Sequence, residues 1–297
     1  MIPMGNEKEN KTKNNLLDHY ETSSLILEGK TLYAKILKTL KAQISEEFLT
    51  PELDIVKIGD NKESEVYVAQ KAKAGESIGV KVNVHKLEEQ ATQAEAEKLI
   101  AELNKKASNG IIVQLPVPKH ISVPALLSKL DPKKDVDGIT PYNLGMLLHD
   151  APFHKPCTPL GVIKLLEYFN IGLEGKNVCI INRSLIVGKP LFFLMLKENA
   201  TVTLCHSKTI DLEKHTKQAD IVVTAIGKPL FFGPEYFTQK SIIIDVGINR
   251  TDQGIFGDVD FKRVKDHVKA ITPVPGGVGK MTVAMLMHNV VNANKIK

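Results

Sequence analysis

The chain has 297 residues and a mass of 32.8 kDa, a length that favours two domains over one. Hydrophobic residues make up 43% and charged residues 25%, which is ordinary for a globular protein and excludes collagen-like and wholly disordered chains. The formal net charge is +5, but the lysines are interleaved with acidic residues and aromatic residues are only 5%, so nucleic acid is not an expected partner.

Cysteine usage and the amino-terminal segment bear on the compartment. Cys157, Cys179 and Cys205 are widely spaced, which fits neither a disulfide framework nor a zinc site and favours a reducing compartment. Residues 1–24 contain acidic residues, no arginine and no apolar core, so we expect a flexible leader rather than a signal or transit peptide. No apolar run reaches the roughly 18 residues that span a bilayer. These features predict a cytoplasmic protein without a membrane partner.

The first half of the chain alternates helical and strand patterns. Apolar residues recur every three or four positions in the helical segments, and short apolar runs bounded by glycine or proline indicate strands. Ser64 is the expected N-cap of the second helix. The predicted elements are a helix at 29–45, a strand at 54–59, a helix from 64 to 78, a strand at 80–87, a helix at 92–107 and a strand at 110–116. This rhythm predicts βαβ units with a parallel sheet.

A second alternating set follows and predicts a doubly wound, Rossmann-like parallel sheet. Its strands are apolar throughout, as expected for strands buried on both faces. The predicted elements are helices at 158–170 and 189–198, strands at 177–181, 201–205, 220–226 and 242–245, and a last helix at 281–294 that packs back on the first set. The fold class is therefore α/β with two domains.

The turn after the strand at 177–181 is a candidate nucleotide-binding loop. Residues 182–188 join that strand to a helix with Pro190 in its first turn, and a helix N-terminus suits a diphosphate. With one glycine, Gly188, the pattern fits a plain strand–turn–helix equally well. The next strand ends in residues 206–209, which contain no carboxylate, while Arg183 lies on the preceding turn. An arginine without the acid favours NADP over NAD.

Several polar residues of the first half are candidates for chemistry, each with an ordinary structural alternative. Tyr67 and Lys71 lie at i and i+4 on one helical face, with Ser64 one turn earlier, a spacing common on plain helices. Gln114 interrupts an apolar run and is either a satisfied core amide or part of a site. Asp137 follows Asp135 in a turn, but no histidine stands at ligand spacing, so we expect no metal.

Six motifs in order resemble bifunctional methylenetetrahydrofolate dehydrogenase/cyclohydrolase over about residues 25–291. A glycine-rich loop that permits close backbone approach to a ligand completes the set. The motifs are residues 67–71 (Tyr-Val-Ala-Gln-Lys), 110–118 (Gly-Ile-Ile-Val-Gln-Leu-Pro-Val-Pro), 134–138 (Lys-Asp-Val-Asp-Gly), 156–159 (Pro-Cys-Thr-Pro), 245–249 (Asp-Val-Gly-Ile-Asn) and 272–279 (Thr-Pro-Val-Pro-Gly-Gly-Val-Gly).

The resemblance implies an NADP-dependent oxidation of 5,10-methylenetetrahydrofolate to the methenyl form and its hydrolysis to 10-formyltetrahydrofolate, in one-carbon metabolism and purine biosynthesis. It implies a homodimer whose subunits each have a cleft between two domains. The expected bounds are a leader at 1–24, a folate-binding catalytic domain at 25–156 with the C-terminal helix 281–297, and an NADP-binding domain at 157–280.

The resemblance also implies the site residues. Lys71 would be the acid/base of hydrolysis and Gln114 its hydrogen-bond partner. The folate would be bound by Tyr67 stacked on the aminobenzoyl ring, Asp137 at the pterin edge, Ser64, Pro275, Gly276 and Gly277. NADP would be bound by Arg183 and Ser207 at the 2′-phosphate, Asn182, Ser184 and Thr158 near the diphosphate and nicotinamide, and the backbone of Ile248.

Two positions depart from the family pattern. Asn182 stands where glycine is common, and we expect little effect because asparagine tolerates a left-handed backbone. Lys280 replaces the family's proline in residues 277–282, which adds a cation near the expected folate pocket. It either contacts the glutamate tail of the substrate or caps the last helix, and we favour the cap.

Two other functions fit parts of the pattern. A monofunctional NAD(P)-dependent dehydrogenase acting on a small hydroxy or amino acid would share the architecture but would not need Tyr67, Gln114 and the glycine-rich loop together. A non-catalytic nucleotide-binding module would bind cofactor without turnover, and it predicts loss of Lys71 or Asp137, both of which are present.

Overall fold

A computed structural model describes residues 24–106 and 110–293, whose strands form two parallel sheets and one antiparallel hairpin. The smaller sheet has three strands and the larger has six. The strands are β1 (Leu25–Ile26), β2 (Glu52–Ile58), β3 (Lys81–Leu87), β4 (Gly110–Val113), β5 (Asn177–Ile181), β6 (Thr201–Cys205), β7 (Ile221–Thr224), β8 (Ile242–Asp245), β9 (Asn249–Thr251), β10 (Gly254–Phe256) and β11 (Ala270–Ile271).

Helices cover both sheets and connect most of their strands. This is the arrangement that parallel pairing requires, because a strand must cross over a face before it can pair in parallel with its neighbour. The helices are α1 (Lys30–Glu46), α2 (Lys62–Ile78), α3 (Gln93–Lys105), α4 (Val123–Ser128), α5 (Pro141–Met146), α6 (Cys157–Tyr168), α7 (Gly188–Lys197), α8 (Leu212–Gln218), α9 (Phe261–Val264) and α10 (Val278–Ala293).

The smaller sheet has the order β3-β2-β4, with all pairs parallel. Alternate side chains of β2 point to opposite faces, and both faces are buried. Val56 and Ile58 pack into one hydrophobic core, whereas Leu53 and Ile55 pack into another that includes residues of α1, α2 and α10. The continuous apolar run of β2 is thus explained by cover on both sides.

The larger sheet has the order β1-β11-β8-β7-β5-β6 and confirms the doubly wound α/β prediction. The chain starts this sheet's nucleotide-binding half at β5, places β6 on one side and then returns to place β7 on the other. Such a reversal leaves a crevice at the carboxyl ends of the strands, where ligands bind in open α/β sheets.

The last helix, α10, returns to the first sheet as predicted and packs on α6, α1 and α2. Most of its side chains are buried, which explains its nearly continuous apolar sequence. Gly161 of α6 makes the close approach possible, because a Cβ there would lie 3.0 Å from the Cβ of Met281. Helices α6 and α10 therefore join the two sheets and fix their relative position.

Some predicted bounds differ from the structure. Helix α2 begins at Lys62, and its N-cap is Asn61, whose side chain accepts a hydrogen bond from the Ser64 amide; Ser64 is not the cap, because it lies inside the first turn. The strand Leu25–Ile26 pairs with β11 in the larger sheet, although the expected boundary placed it with the smaller one. The predicted leader up to residue 23 and the helix ends at 107 and 294 lie outside the described residues. Among the described helices, none is long and apolar enough to cross a membrane.

Candidate functional site

A lysine and a glutamine from different elements meet at the carboxyl edge of the smaller sheet. Lys71 on α2 donates a hydrogen bond from Nζ to Oε1 of Gln114, with 2.9 Å between the two atoms. Gln114 follows β4 directly, and its Nε2 donates to the carbonyl of Leu115 at 2.7 Å. That second bond fixes the orientation of the amide, so its oxygen is the atom presented to Lys71.

The surroundings of Lys71 favour its neutral amine more than water does. Burial lowers the pKa of Lys71 from its ordinary value, while the charge of Asp137 acts in the opposite direction. Burial likewise raises the pKa of Asp137, and the charge of Lys71 opposes this effect. A lowered pKa increases the share of neutral amine at a given pH, so such a lysine serves as a proton acceptor more readily than an ordinary lysine does.

The two aspartates of the turn at 135–137 have different surroundings. Asp135 is fully buried and accepts hydrogen bonds from the amides of Gly138 (3.0 Å) and Thr140 (2.7 Å) and from Nδ2 of Asn143 (2.9 Å). Its carboxylate therefore holds the turn together. Asp137, two residues later, lines the cleft instead. The described ranges contain no group of three His, Cys, Asp or Glu side chains placed to hold a metal ion.

A glycine brings the Asp137 turn against the start of α6. Gly138 has a φ of +72°, and a Cβ at this position would lie 2.7 Å from backbone atoms of Lys155 and Pro156. The close approach lets the Cys157 amide donate to the Asp137 carbonyl at 3.3 Å. The motifs at 134–138 and 156–159 are thus one structural unit, which positions Asp137 beside Thr158.

These residues line a cleft of about 310 Å³ between the two sheets. Its walls come from α2, the end of β4, the Asp137 turn, α6, the loop after β5, the loop after β8, and α10. The lining residues are Tyr67, Lys71, Val113, Gln114, Leu115, Asp137, Ile139, Cys157, Thr158, Ile186, Val187, Val246, Ile248, Val278, Gly279, Thr282 and Val283. The fold thus brings six of the predicted site residues together: Tyr67, Lys71, Gln114, Asp137, Thr158 and Ile248.

The cleft also contains residues that the sequence did not single out. The hydroxyls of Thr158 and Thr282 are 3.0 Å apart and link α6 to α10 inside the cleft. Cys157 hydrogen bonds the Val136 carbonyl, and its pKa is raised well above the ordinary value, first by burial. Cys157 belongs to the motif at 156–159, and Thr282 follows the motif at 272–279. Their proximity to these motifs is the sequence signal that could have identified them.

A second cavity of about 180 Å³ adjoins the cleft on the far side of Tyr67. Pro275, Gly276 and Gly277 line this outer cavity rather than the cleft around Lys71. The amide of Gly29 donates to the carbonyl of Gly276 at 2.9 Å, which fixes the glycine-rich loop to the start of α1. The three predicted folate-binding residues of this loop therefore line a different cavity from Lys71, and Tyr67 lines both cavities.

Ser64 is the predicted substrate residue that does not reach either cavity. It is buried on α2, and its Oγ has no hydrogen-bond partner among the described residues.

The loop after β5 is organised by the side chain of Asn182. Its Oδ1 accepts from the amides of Ser184 at 2.7 Å and Gly188 at 2.9 Å, and its Nδ2 donates to the Ala225 carbonyl. Asn182 does not adopt the left-handed backbone that we considered; its amide group holds the turn instead. Gly188 is required here, because a Cβ would lie 2.0 Å from the Asn182 carbonyl oxygen. These bonds use the Gly188 amide, and the Lys189 amide donates to the Ser184 carbonyl at 3.1 Å, so the loop closes onto the first turn of α7.

Arg183 and Ser207 lie on neighbouring turns at the same edge of the larger sheet. Strands β5 and β6 pair in register up to Ile181 and Cys205, so the turns that follow them start side by side. Both residues are exposed, and Arg183 has no carboxylate within 4.0 Å among the residues described. An unpaired guanidinium beside a hydroxyl fits the doubly charged phosphate of an NADP ribose.

A buried aspartate shapes the loop that carries Ile248. Asp245 accepts hydrogen bonds from the amides of Gly247 (3.0 Å) and Val259 (2.9 Å), and burial raises its pKa to about 7. These bonds turn the chain after β8, so that Val246 and Ile248 face the cleft. The motif at 245–249 therefore positions backbone and apolar side chains rather than supplying a reactive carboxylate.

Two family models match the chain. The model for the catalytic domain of tetrahydrofolate dehydrogenase/cyclohydrolase matches residues 27–137, and the model for its NAD(P)-binding domain matches residues 156–297. Together the two matches cover most of the chain, and the break between them falls just before α6.

Individual relatives give the same result over nearly their full length. The bifunctional protein FolD of Thermodesulfovibrio yellowstonii is 47% identical over 280 residues, which are 93% of this chain and 98% of that protein. The crystal structure of the bifunctional enzyme FolD from Campylobacter jejuni superposes with a TM-score of 0.88 at 44% identity, covering 92% and 99% of the two chains. The Trypanosoma brucei enzyme, crystallised with NADP cofactor and an inhibitor, has a TM-score of 0.87 at 34% identity, covering 92% and 98%.

Proposed function

The chain belongs to the tetrahydrofolate dehydrogenase/cyclohydrolase family, and on this premise we propose that the cleft around Lys71 carries out both of its reactions. The protein is an NADP-dependent methylenetetrahydrofolate dehydrogenase and a methenyltetrahydrofolate cyclohydrolase of one-carbon metabolism. The observation that carries the assignment of the site is the hydrogen bond from Lys71 to Gln114 in a cleft that both sheets line.

The folate lies along the cleft with its pterin toward Asp137. The Asp137 carboxylate accepts hydrogen bonds from the pterin N–H groups. It is available for this because Asp135 accepts the hydrogen bonds within the turn, while Asp137 lines the cleft. The ring of Tyr67, which lines both cavities, stacks on the aminobenzoyl ring. This placement puts the one-carbon bridge of the folate near Lys71.

The dehydrogenase step depends on positioning. When bound, NADP supplies the hydride acceptor. Arg183 and Ser207 hold the 2′-phosphate, and the loop that Asn182 and Ser184 organise at the start of α7 borders the diphosphate. Thr158 of this chain, fixed by its contact with Thr282, and the backbone of Ile248 border the part of the cleft that faces the folate bridge.

The hydrolytic step uses Lys71 as base and then as acid. The neutral amine of Lys71 removes a proton from the water that attacks the methenyl carbon, which gives a tetrahedral adduct. The resulting ammonium returns a proton to the ring nitrogen N5 as the bond from carbon to N5 breaks. The hydroxyl oxygen of the adduct forms the formyl C=O and releases its proton to solvent, and 10-formyltetrahydrofolate leaves. Gln114 accepts a hydrogen bond from one N–H of Lys71 and so orients the amine, with its lone pair toward the attacking water.

The test is a pair of spectrophotometric assays on Lys71→Met. NADP reduction with 5,10-methylenetetrahydrofolate follows the first reaction, and decay of methenyl absorbance follows the second. We expect cyclohydrolase turnover to fall by about 10²- to 10⁴-fold, the usual contribution of a general base, while folate binding persists. Lys73→Met on the exposed face of the same helix is the matched control and should keep both activities.

Unchanged hydrolysis in Lys71→Met would remove Lys71 from the mechanism. Absence of both activities in the unmodified protein, with NADP still bound, would instead favour the non-catalytic nucleotide-binding module. A dehydrogenase that reduces NADP without faster methenyl decay would leave only the first of the two proposed reactions.

We also propose that the protein works as a cytoplasmic homodimer, with a folate-binding domain at 25–156 joined by the last helix and an NADP-binding domain at 157–280. The strand Leu25–Ile26 is the exception, because it pairs in the larger sheet. The three cysteines are free and buried, which suits a reducing compartment. Sedimentation equilibrium checks the assembly, since a homodimer has twice the 32.8 kDa mass of the chain.

A further inference from the structure

The outer cavity contains two cations for which the reactions above have no use. Arg250, on the β9–β10 hairpin, and Lys280, in the first turn of α10, line the same cavity as Tyr67 and the glycine-rich loop. Both side chains are exposed. The cavity adjoins the catalytic cleft and shares Tyr67 and Ile248 with it, so a ligand can extend from one into the other.

The position of Lys280 does not suit a helix cap. The N-terminus of a helix has a partial positive charge, and a cation there is unfavourable, whereas an acidic residue would be favourable. The first turn of α10 contains no acidic residue, and Nζ of Lys280 lies 5.3 Å from the centre of the Tyr33 ring. Our expectation that Lys280 caps the helix is therefore wrong on electrostatic grounds. The ammonium lies over an aromatic ring, and an anion is the partner that both the lysine and the helix terminus favour.

Arg250 is one of only three arginines in the chain. Arg263 lies near the carboxylates of Glu235 and Asp260, at 3.7 and 3.8 Å, and Arg183 faces the NADP crevice. Arg250 has no carboxylate within 4.0 Å in the described part of the chain, and its charge acts on the Tyr67 phenol, where it opposes the effect of burial on the pKa. A guanidinium binds a carboxylate through two parallel hydrogen bonds.

The one acidic residue that lines the outer cavity does not neutralise these cations. Asp245 is buried, and its carboxylate accepts hydrogen bonds from the amides of Gly247, Asp258 and Val259 and from the Thr224 hydroxyl. Its acceptor capacity is used within the loop after β8. The outer cavity therefore presents two available cations to a ligand beyond Tyr67.

We propose that Arg250 and Lys280 form a carboxylate subsite for the γ-glutamyl tail of the folate, and that this chain prefers substrates with more than one glutamate. The inference rests on the proposed function, because the position of the tail depends on a folate bound in the catalytic cleft. With the aminobenzoyl ring on Tyr67, the next group of the molecule is the glutamyl tail, which enters the outer cavity. Each further γ-linked glutamate adds one carboxylate, and the cavity has two cations to receive them.

The subsite is tested by kinetics with the monoglutamate and triglutamate forms of 5,10-methylenetetrahydrofolate at saturating NADP. The variants are Lys280→Gln, Arg250→Gln and the pair, with Lys280→Arg as the conservative replacement. An exposed ion pair contributes up to about 1 kcal/mol, or roughly fivefold. We expect each single variant to raise KM for the triglutamate by about threefold to fivefold, and the pair by about 10- to 25-fold, with kcat within about twofold.

Three comparisons separate the subsite from a structural role. Lys280→Arg should restore the triglutamate KM, since it keeps the charge. Lys240→Gln removes an exposed lysine on the turn before β8, at the opposite end of the sheet from the cleft, and should change neither KM. The advantage of the triglutamate should also shrink at high salt, because exposed charges are screened.

Equal KM values for the two substrates in both the unmodified protein and the paired variant would overturn the subsite while leaving the proposed function intact. A loss of kcat with both substrates in Lys280→Gln would also overturn it, since the lysine would then act through the helix and Tyr33. No oxidation of either substrate by the unmodified protein would refute the proposed function itself.

Discussion

Replacing Gln114 with glutamate changes the charge beside Lys71 while keeping the size of the side chain. In the native protein the amide oxygen of Gln114 accepts the Lys71 hydrogen bond without adding charge. A carboxylate in the same place would favour the ammonium form. Gln114→Glu therefore tests whether hydrolysis needs a lysine whose proton can leave.

The size of the effect follows from the distance. Two unit charges 2.9 Å apart attract by about 6 kcal/mol at an effective dielectric constant of about 20, which sets a ceiling of about 4 pKa units. Opposite charges at contact usually shift a pKa by about 1–3 units. We expect the pKa of Lys71 to rise by that amount. At a pH where Lys71 is mostly protonated in both the native protein and Gln114→Glu, the variant's neutral fraction and hydrolysis rate are then lower by about 10- to 1000-fold.

The sign of the pH dependence is fixed by the same reasoning. Burial lowers the pKa of Lys71, so the neutral base becomes available as pH rises through that lowered value. In Gln114→Glu the rising limb of the cyclohydrolase profile should move to higher pH by about 1–3 units. NADP reduction should change far less, because hydride transfer does not require the Lys71 proton to leave.

The assay follows methenyl absorbance across a pH series with uncatalysed decay subtracted at each pH. Gln114→Met is the matched control, since it removes the hydrogen bond without adding charge and should lower the rate without moving the limb upward. A Gln114→Glu profile that coincides with the native one would refute the role of Lys71 as base, and so would a limb that moves to lower pH.

Two further substitutions probe the cofactor side and the framework. Arg183→Ala should raise KM for NADP by about 10- to 150-fold, with little change for NAD. This factor corresponds to the loss of one charge-assisted phosphate contact of about 1.5–3 kcal/mol. Equal effects on both cofactors would contradict the 2′-phosphate role. Asn289→Leu removes the buried amide of α10 that donates to the carbonyls of Val136 (2.9 Å) and Lys155 (3.0 Å), at a cost of about 1–3 kcal/mol. The midpoint of thermal unfolding should fall, and KM for the folate should rise because the Asp137 turn moves. A lower midpoint with an unchanged KM would show that Asn289 contributes to stability and not to folate binding.

The α/β class was predictable because the signals behind it are local. Strands β5, β6 and β8 have the bounds that their apolar runs predicted, and α7 and α10 begin within three residues of the predicted starts. A run of valine and isoleucine between turn residues specifies a buried strand wherever it stands in the chain. The strand Leu25–Ile26 and the hairpin of β9 and β10 are too short to show a period, and their place in the fold depends on tertiary contacts.

The candidate residues were recognisable as types, but their roles depended on neighbours. The residue pattern placed Asp135 and Asp137 in one turn, and only the family resemblance singled out Asp137. The structure gives the physical difference, because Asp135 has three donors and Asp137 lines the cleft. Likewise Asn182 was expected to have little effect in place of glycine, yet its side chain organises the loop. Hydrogen-bond partners are a three-dimensional property, so a motif cannot specify them.

The sequence by itself determined the two parallel-sheet units, the family and the set of chemically capable side chains, because helical and strand periods and turn residues act over a few positions. Tertiary structure decided which of those side chains meet. Lys71 and Gln114 are 43 positions apart, and Thr158 and Thr282 are 124 apart. The first contact needs β4 to pair with β2 beside α2, and the second needs α6 to pack on α10. The same tertiary packing places Lys280 beside Tyr33 instead of at a capping position.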